Sequence, residues 1–229
     1  MTTPVDVSVR RQTTDVDAML AELRLCERPH DVEVSGMPLH ILPGVLSPRL
    51  SHAPDALMSK WRIDPGATVL DLGCGSGILG LAALRAGAGR LLALDINPQA
   101  VLTTEINIER LGYSDKAEAR CSDIYSALQS GEKFDVILFA APYWNRKAKD
   151  DLERSCYDED HKVMASALAG AHLWLNAAGL MYVVFSDQGD VGRVLNLIDQ
   201  SMLRVRDMHI FRPSIAGGHV RIVWELTAR

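Results

Sequence analysis

Apolar residues in this chain fall into short continuous runs separated by stretches of helical period. Val69, Leu70 and Leu72 form one run, Arg90–Leu94 carries a second, Phe134–Phe139 a third and Leu180–Phe185 a fourth. Runs that do not alternate with polar residues belong to strands covered on both faces, as in a parallel sheet. Between them the spacing lengthens to that of helices: from Ile78 onward, from Asn97 to about Leu111 with Gly112 as the stop, over Val163–Leu175 and over Val191–Gln200. Ala117–Cys121 adds a short strand, with a helix predicted over Ile124–Leu128, and Asn176–Gly179 predicts a turn. Val205–Phe211 and Val220–Leu226, joined through Pro213 and Gly217-Gly218, predict an antiparallel pair. Strands alternating with helices in this order predict a doubly wound α/β sheet.

The first forty residues follow a different pattern. Residues 1–13 are polar and predicted to be disordered. Val16, Met19, Leu20 and Leu23 recur at helical spacing within Thr14–Glu27, with Thr14 or Asp15 as the cap and Pro29 as the end. Val32, Val34, Leu39 and Ile41 flank Ser35-Gly36-Met37-Pro38, which predicts a hairpin. Residues 1–42 are therefore read as an extension, a lid or a homodimer contact, and 43–229 as the main domain. Gly44, Ser47, Pro48 and Arg49 make a loop before a helix over Pro54–Trp61. Asn145–Asp160 is charged and poor in apolar residues, the composition of a mobile lid or of a solvated surface.

Composition narrows the class. A chain of 229 residues with 48% hydrophobic content can bury one continuous core. No run approaches the ~20 apolar residues of a bilayer span, and the N-terminus has no signal pattern, so a cytoplasmic protein without membrane contact is expected. Cys26, Cys74, Cys121 and Cys156 and the seven histidines show no ligand spacing, so no metal is expected. A net charge of −5 makes nucleic acid the less favoured partner, although Arg146, Lys147 and Lys149 form one short basic run.

Chemistry concentrates at Ala67–Gly87, a strand, a glycine turn and a helix. Gly73, Gly75 and Gly77 permit a tight turn and leave main-chain N–H groups open to a ligand, with Cys74 as a small residue between them. Asp95 closes the next strand about twenty residues on, where a carboxylate meets a ribose diol. NAD and S-adenosylmethionine both fit so far. Asp71, two positions before the first glycine, would repel a pyrophosphate and attract a sulfonium or ammonium, which favours S-adenosylmethionine.

VLDLGCGSG, ALDINPQAV, SDIY and FDVILFAAPYW, in this order, resemble the successive motifs of the class I S-adenosylmethionine-dependent methyltransferases. The arrangement is similar to the branch containing release-factor glutamine methyltransferases and small-domain nucleic-acid base methyltransferases. The resemblance implies a mostly parallel seven-stranded sheet with a final antiparallel strand. It also implies Ser47 and Arg49 at the methionine end of the cofactor, Ile96 on the adenine ring and Asp123 on the adenine amino group. For Ile96 the alternative is core packing, and for Asp123 a helix cap. Where amino-methylating relatives carry Asn or Asp followed by Pro-Pro and an aromatic residue, this chain has Ala140-Ala141-Pro142-Tyr143.

A methyl side chain at Ala140 cannot accept a hydrogen bond from a target N–H, so glutamine or adenine specificity does not carry over. Ala140 is kept as a cofactor-end residue. Pro142, Tyr143, Trp144 and Tyr157 are candidate substrate contacts, with Tyr143 and His161 as candidate catalytic residues; His161 would be a general base or, as a member of a helix beginning Asp158-Glu159-Asp160, merely balance those carboxylates. The expected function is N-methylation of a small molecule or protein side chain. RNA base methylation and a non-catalytic cofactor-binding role are the alternatives.

Overall fold

The computed structural model describes residues 16–213 and 219–229. In chain order the elements are α1 (Val16–Arg24), β1 (His30–Val34), β2 (Met37–Ile41), α2 (Ala53–Met58), β3 (Thr68–Leu72), α3 (Ile78–Arg85), β4 (Arg90–Asp95), α4 (Pro98–Arg110), β5 (Ala117–Cys121), β6 (Phe134–Ala140), α5 (Asp151–Arg154), α6 (Lys162–Trp174), β7 (Leu175–Ser186), α7 (Val191–Gln200), β8 (Leu203–Phe211) and β9 (Arg221–Ala228). Among the described residues, no helix is long and apolar enough to cross a membrane. The Thr14 or Asp15 cap, the expected disorder of residues 1–13 and the Gly217-Gly218 link lie outside the described residues.

Seven strands form one sheet in the order β5-β4-β3-β6-β7-β9-β8. Only β9 runs against its neighbours, pairing antiparallel with β7 and β8, so the predicted doubly wound sheet with a reversed final strand is the one that forms. The chain moves from β3 outward through β4 to β5 and then crosses to β6 on the other side of β3. Strand order reverses between β3 and β6, and at such a reversal the loops diverge and leave a crevice at the carboxyl ends.

Each central strand divides its side chains between two cores. Val69, Leu91, Val136, Leu138, Tyr182 and Val184 join α2, α3 and the β1–β2 hairpin on one face. Leu70, Leu72, Leu92, Leu94, Ile137, Phe139, Met181 and Val183 join α6 and α7 on the other. This is why the strands read as unbroken apolar runs.

The hairpin closes through Ser35 (φ 51°) and Gly36 (φ 71°), with Val34 opposite Met37. Two successive positive φ values suit the right-handed twist of the strands it joins. Its inward residues belong to the main core, whereas α1 packs elsewhere, with Leu152, Cys156 and Tyr157. Two expectations need correction. Asn176–Gly179 is an irregularity within β7, whose register against β6 jumps from Phe134–Leu175 to Val136–Leu180. No helix forms over Ile124–Leu128, where the chain makes only turns.

Candidate cofactor and acceptor cleft

A cleft of about 550 Å³ opens where the strand order reverses, within the ~300–1,000 Å³ typical of small-molecule sites. Its floor is the loop leaving β3. Gly73, Gly75 and Gly77 all have positive φ (70°, 55° and 80°), which non-glycine residues adopt only with strain. The expectation of open N–H groups there is corrected. Gly73 and Cys74 donate to the Leu94 carbonyl at 2.8 and 3.0 Å, Gly75 donates to the Asp95 carboxylate at 2.8 Å, and Gly77 donates to the Cys74 carbonyl at 2.8 Å. A ligand therefore meets the Cα faces of Gly73 and Gly75, whereas Gly77 lies outside the cleft wall against Thr104 and Leu81, so its expected place at the cofactor is corrected.

Asp71 also needs correction. It is 0% exposed and lies outside the cleft wall, where its carboxylate accepts the Gly80 N–H at 2.9 Å and anchors the first turn of α3. Burial pushes its pKa up to about 7, with the Gly80 hydrogen bond opposing and the Asp95 charge adding to the rise. Direct contact with a sulfonium is not its geometry. Cys74 stays in the cleft wall, its sulfur accepting from the Thr104 hydroxyl at 3.3 Å.

At the end of β4, Asp95 accepts from Gly75 N–H through Oδ2 and from Asn97 N–H (2.9 Å) through Oδ1. Burial raises its pKa against the lowering effect of these bonds. Held on both oxygens, the carboxylate keeps lone pairs for a diol. Ile96 is 38% exposed and lies in the cleft wall, which excludes simple core packing and leaves an apolar face for a flat ring. Asn97 caps α4 and donates to the Gly44 carbonyl at 3.1 Å, tying the segment before α2 to the cofactor end. Asp123 lines the cleft after the neighbouring strand β5, where Ser122 N–H donates to the Asp95 carbonyl at 2.8 Å. It caps no helix; the Ser122 hydroxyl accepts the Ala127 N–H instead.

The pre-strand loop divides. Arg49 lines the cleft and donates to the Glu33 carbonyl at 3.1 Å, while Ser47 is fully buried outside the cleft wall, so its expected place facing the cofactor is corrected.

The acceptor end begins at Ala140, half-buried at the tip of β6 and within the wall. Ala141, Pro142, Tyr143 and Trp144 follow in the wall. Tyr143 and Trp144 are both half-buried with ring centroids 4.0 Å apart, so neither is simply a core plug. Burial pushes the Tyr143 hydroxyl up to about 12, partly offset by the Arg221 charge, and this phenol stays protonated near neutrality.

Tyr157 borders the cleft, but its hydroxyl is bound to Asp17 and Arg146, and the Arg146 guanidinium lies 4.7 Å from its ring centre. Its geometry is that of a pin for α1. His161 is contradicted as a general base: it is 2% exposed, absent from the cleft wall and packed 6.2 Å from the Phe185 ring. The helix expected to begin at Asp158 instead breaks. Asp160 and His161 take left-handed φ values of 59° and 55°, and the Asp158 carboxylate caps α6 through Val163 and Met164 N–H at 2.9 and 3.0 Å.

Asn145–Asp160 is more ordered than a bare loop, containing α5 and two ion pairs from Arg24, to Asp150 (2.7 Å) and Glu153 (2.8 Å). Arg146, expected in a solvated run, pairs with Asp17 at 2.7 Å. Arg221, which the sequence reading passed over, is buried and lines the acceptor end. Its one signal was a cation ahead of the apolar run Ile222-Val223-Trp224 within Val220–Leu226.

Residues 56–140, which carry the cofactor end, match the family described as ribosomal protein L11 methyltransferase (PrmA). A ribosomal protein L11 methyltransferase of Aeromonas hydrophila is 46% identical over 79 residues, 33% of this chain and 27% of that protein. The matched stretch is thus a small part of the curated relative's length. A T. thermophilus 16S rRNA N2 methyltransferase, solved with AdoMet and guanosine, shares the fold at TM-score 0.65 and 22% identity over 88% of this chain and 50% of that one. A ribosomal protein L11 methylase from Lactobacillus delbrueckii subsp. bulgaricus does so at TM-score 0.57 and 19% identity over 82% and 84%. The matched stretch carries the glycine turn and Asp95, and the fold of the whole described chain is one that these methyltransferases share.

Proposed function

We propose that this chain, built on the class I S-adenosylmethionine-dependent methyltransferase fold, methylates a nitrogen of a small molecule or protein side chain at Pro142-Tyr143-Trp144. One observation carries the reading: a single cleft runs from the Asp95–Ile96 cofactor end to the Tyr143–Trp144 acceptor end. When bound, the cofactor supplies a methyl group made electrophilic by its sulfonium. The protein supplies position. Asp95 would hold the ribose, Ile96 and Asp123 the adenine, and the glycine Cα faces would let the cofactor lie close to the loop.

At the other end Tyr143 and Trp144 form aromatic walls that align a nitrogen lone pair with the methyl group. Alignment of this kind lowers a barrier by roughly 7–11 kcal/mol. Because the reaction needs little acid–base help, a site without His161 in its wall remains competent. The acceptor's proton would pass to solvent after transfer.

A flat base of RNA is the second reading, favoured by the tilted aromatic pair and by exposed Lys147 at the cleft rim. The nucleic-acid partner is also compatible with what the fold neighbours act on, an rRNA among them. Incubation with methyl-labelled cofactor and cell extract decides between these. Label in the protein or small-molecule fraction is the expected result; label in RNA establishes the second reading, and no transfer to any fraction with intact cofactor binding establishes a non-catalytic relative.

A further inference from the structure

Arg221 opens β9 and is the one buried arginine among the described residues, at 4% exposure. Its Nη1 donates to the Ser186 hydroxyl at 3.0 Å and to the His219 carbonyl at 3.2 Å, while Nε has no partner among the described residues. No carboxylate of the described residues forms an ion pair with it, and residues 214–218, Ser-Ile-Ala-Gly-Gly, contain no acid. The contrast with Arg120 is direct: that half-buried guanidinium is matched by both Glu118 and Glu132. Removing a cation from water costs several kcal/mol unless a counter-charge compensates. The compensation inside the protein at Arg221 is the Ser186 hydroxyl, which itself donates to the Asp187 carboxylate at 3.5 Å, a carbonyl and the face of Tyr143, whose ring centre is 5.5 Å from Cζ.

That ring contact places the guanidinium at the acceptor end of the cleft, beside Tyr143 and away from Asp95. We propose that Arg221 receives an anionic oxo group, carboxylate or phosphate, carried by the methyl acceptor. The proposal rests on reading the cleft as a methyl-transfer site. A guanidinium presents several N–H donors in a plane that matches such a group, and pairing of this kind is both strong and directional. The same charge disfavours a protonated amine nearby, so an acceptor anchored there by its anion would offer its nitrogen neutral, the form that attacks a methyl group. Substrates of this class are amines that also bear a carboxylate or phosphate.

The test uses the full chain saturated with S-adenosylhomocysteine and titrated with benzoate, phenyl phosphate and neutral benzamide. Binding is followed by tryptophan fluorescence and by the NMR signal of the Arg221 Nε–H. We expect at least one of the two anions to bind about tenfold or more tightly than benzamide, ~1.4 kcal/mol, and to shift the Nε–H resonance. The tighter of the two identifies the acceptor's anion.

Arg221→Met should abolish the preference and Arg221→Lys retain part of it, with S-adenosylhomocysteine affinity by calorimetry within twofold of wild type. Equal binding of benzamide, or a preference that survives Arg221→Met, overturns the proposal. If Arg221→Met does not fold, an unshifted Nε–H signal in the wild-type protein is enough to reject it. If calorimetry shows no affinity for S-adenosylhomocysteine, the same titration is run without it, and anion binding at Arg221 there would reject the methyl-transfer reading and leave the anion site standing.

Discussion

The two ends of the cleft are built differently. At the cofactor end, the holding hydrogen bonds join partners close in the fold's first α/β units: Gly75 with Asp95, Gly80 with Asp71, and Gln99 with Asn97. At the acceptor end, the holding contacts join segments far apart in the chain, Arg24 to Asp150 and Glu153, Asp17 to Tyr157 and Arg146. Most of these are surface ion pairs, which water and salt screen. The first end is a rigid template for a constant ligand. The second is a weakly strapped cover over a pocket whose acceptor must enter and leave.

If the cofactor end owes its rigidity to the buried carboxylate under the loop, pH should expose it most strongly. Asp71 has a pKa raised to about 7 in the folded chain against 3.8 ordinarily. The folded state then binds the proton better, so this residue's contribution to stability is full below about pH 4 and is lost as pH rises toward about 7. The size is on the order of a few kcal/mol at most. Denaturation midpoints measured across this range should fall for wild type more than for Asp71→Asn, whose amide oxygen still accepts from Gly80; parallel curves would show that Asp71 is not the source.

A smaller effect separates binding from folding at the same end. Asp95→Ala removes the acceptor for Gly75 and Asn97 N–H and the expected ribose contact, and should weaken S-adenosylmethionine at least tenfold, about 1.4 kcal/mol, by calorimetry. Unchanged affinity in a folded variant contradicts the assignment. The smallest effect belongs to the acceptor end. Arg24→Ala should leave the denaturation midpoint nearly unchanged, because exposed ion pairs are screened by water, yet speed hydrogen exchange across residues 145–160 while leaving residues 67–95 as in wild type. Equal protection of both segments would mean the two ends are not distinct.

Much of this was legible from residue order because strand burial, glycine turns and caps act over a few residues. The apolar runs located β3, β4 and β6, and Asp95 with Ile96 fell at the cleft because both sit at a strand's carboxyl end. The Asp158–His161 region was misread because its left-handed break has no composition signal: a helix starting at Asp158 would have placed His161 on its face, whereas the cap forms at Val163 and Met164.

Local patterning thus determined the central strands, the glycine turn and the place of Asp95 and Ile96 at a strand's carboxyl end, since each depends on the residues of one strand–loop–helix unit. Tertiary packing alone decided that Asp71 lies beneath the loop, that Tyr157 grips α1 and that Arg221 enters the acceptor end. These depend on which distant surfaces exclude water together, a property of the assembled chain that no short stretch of it contains.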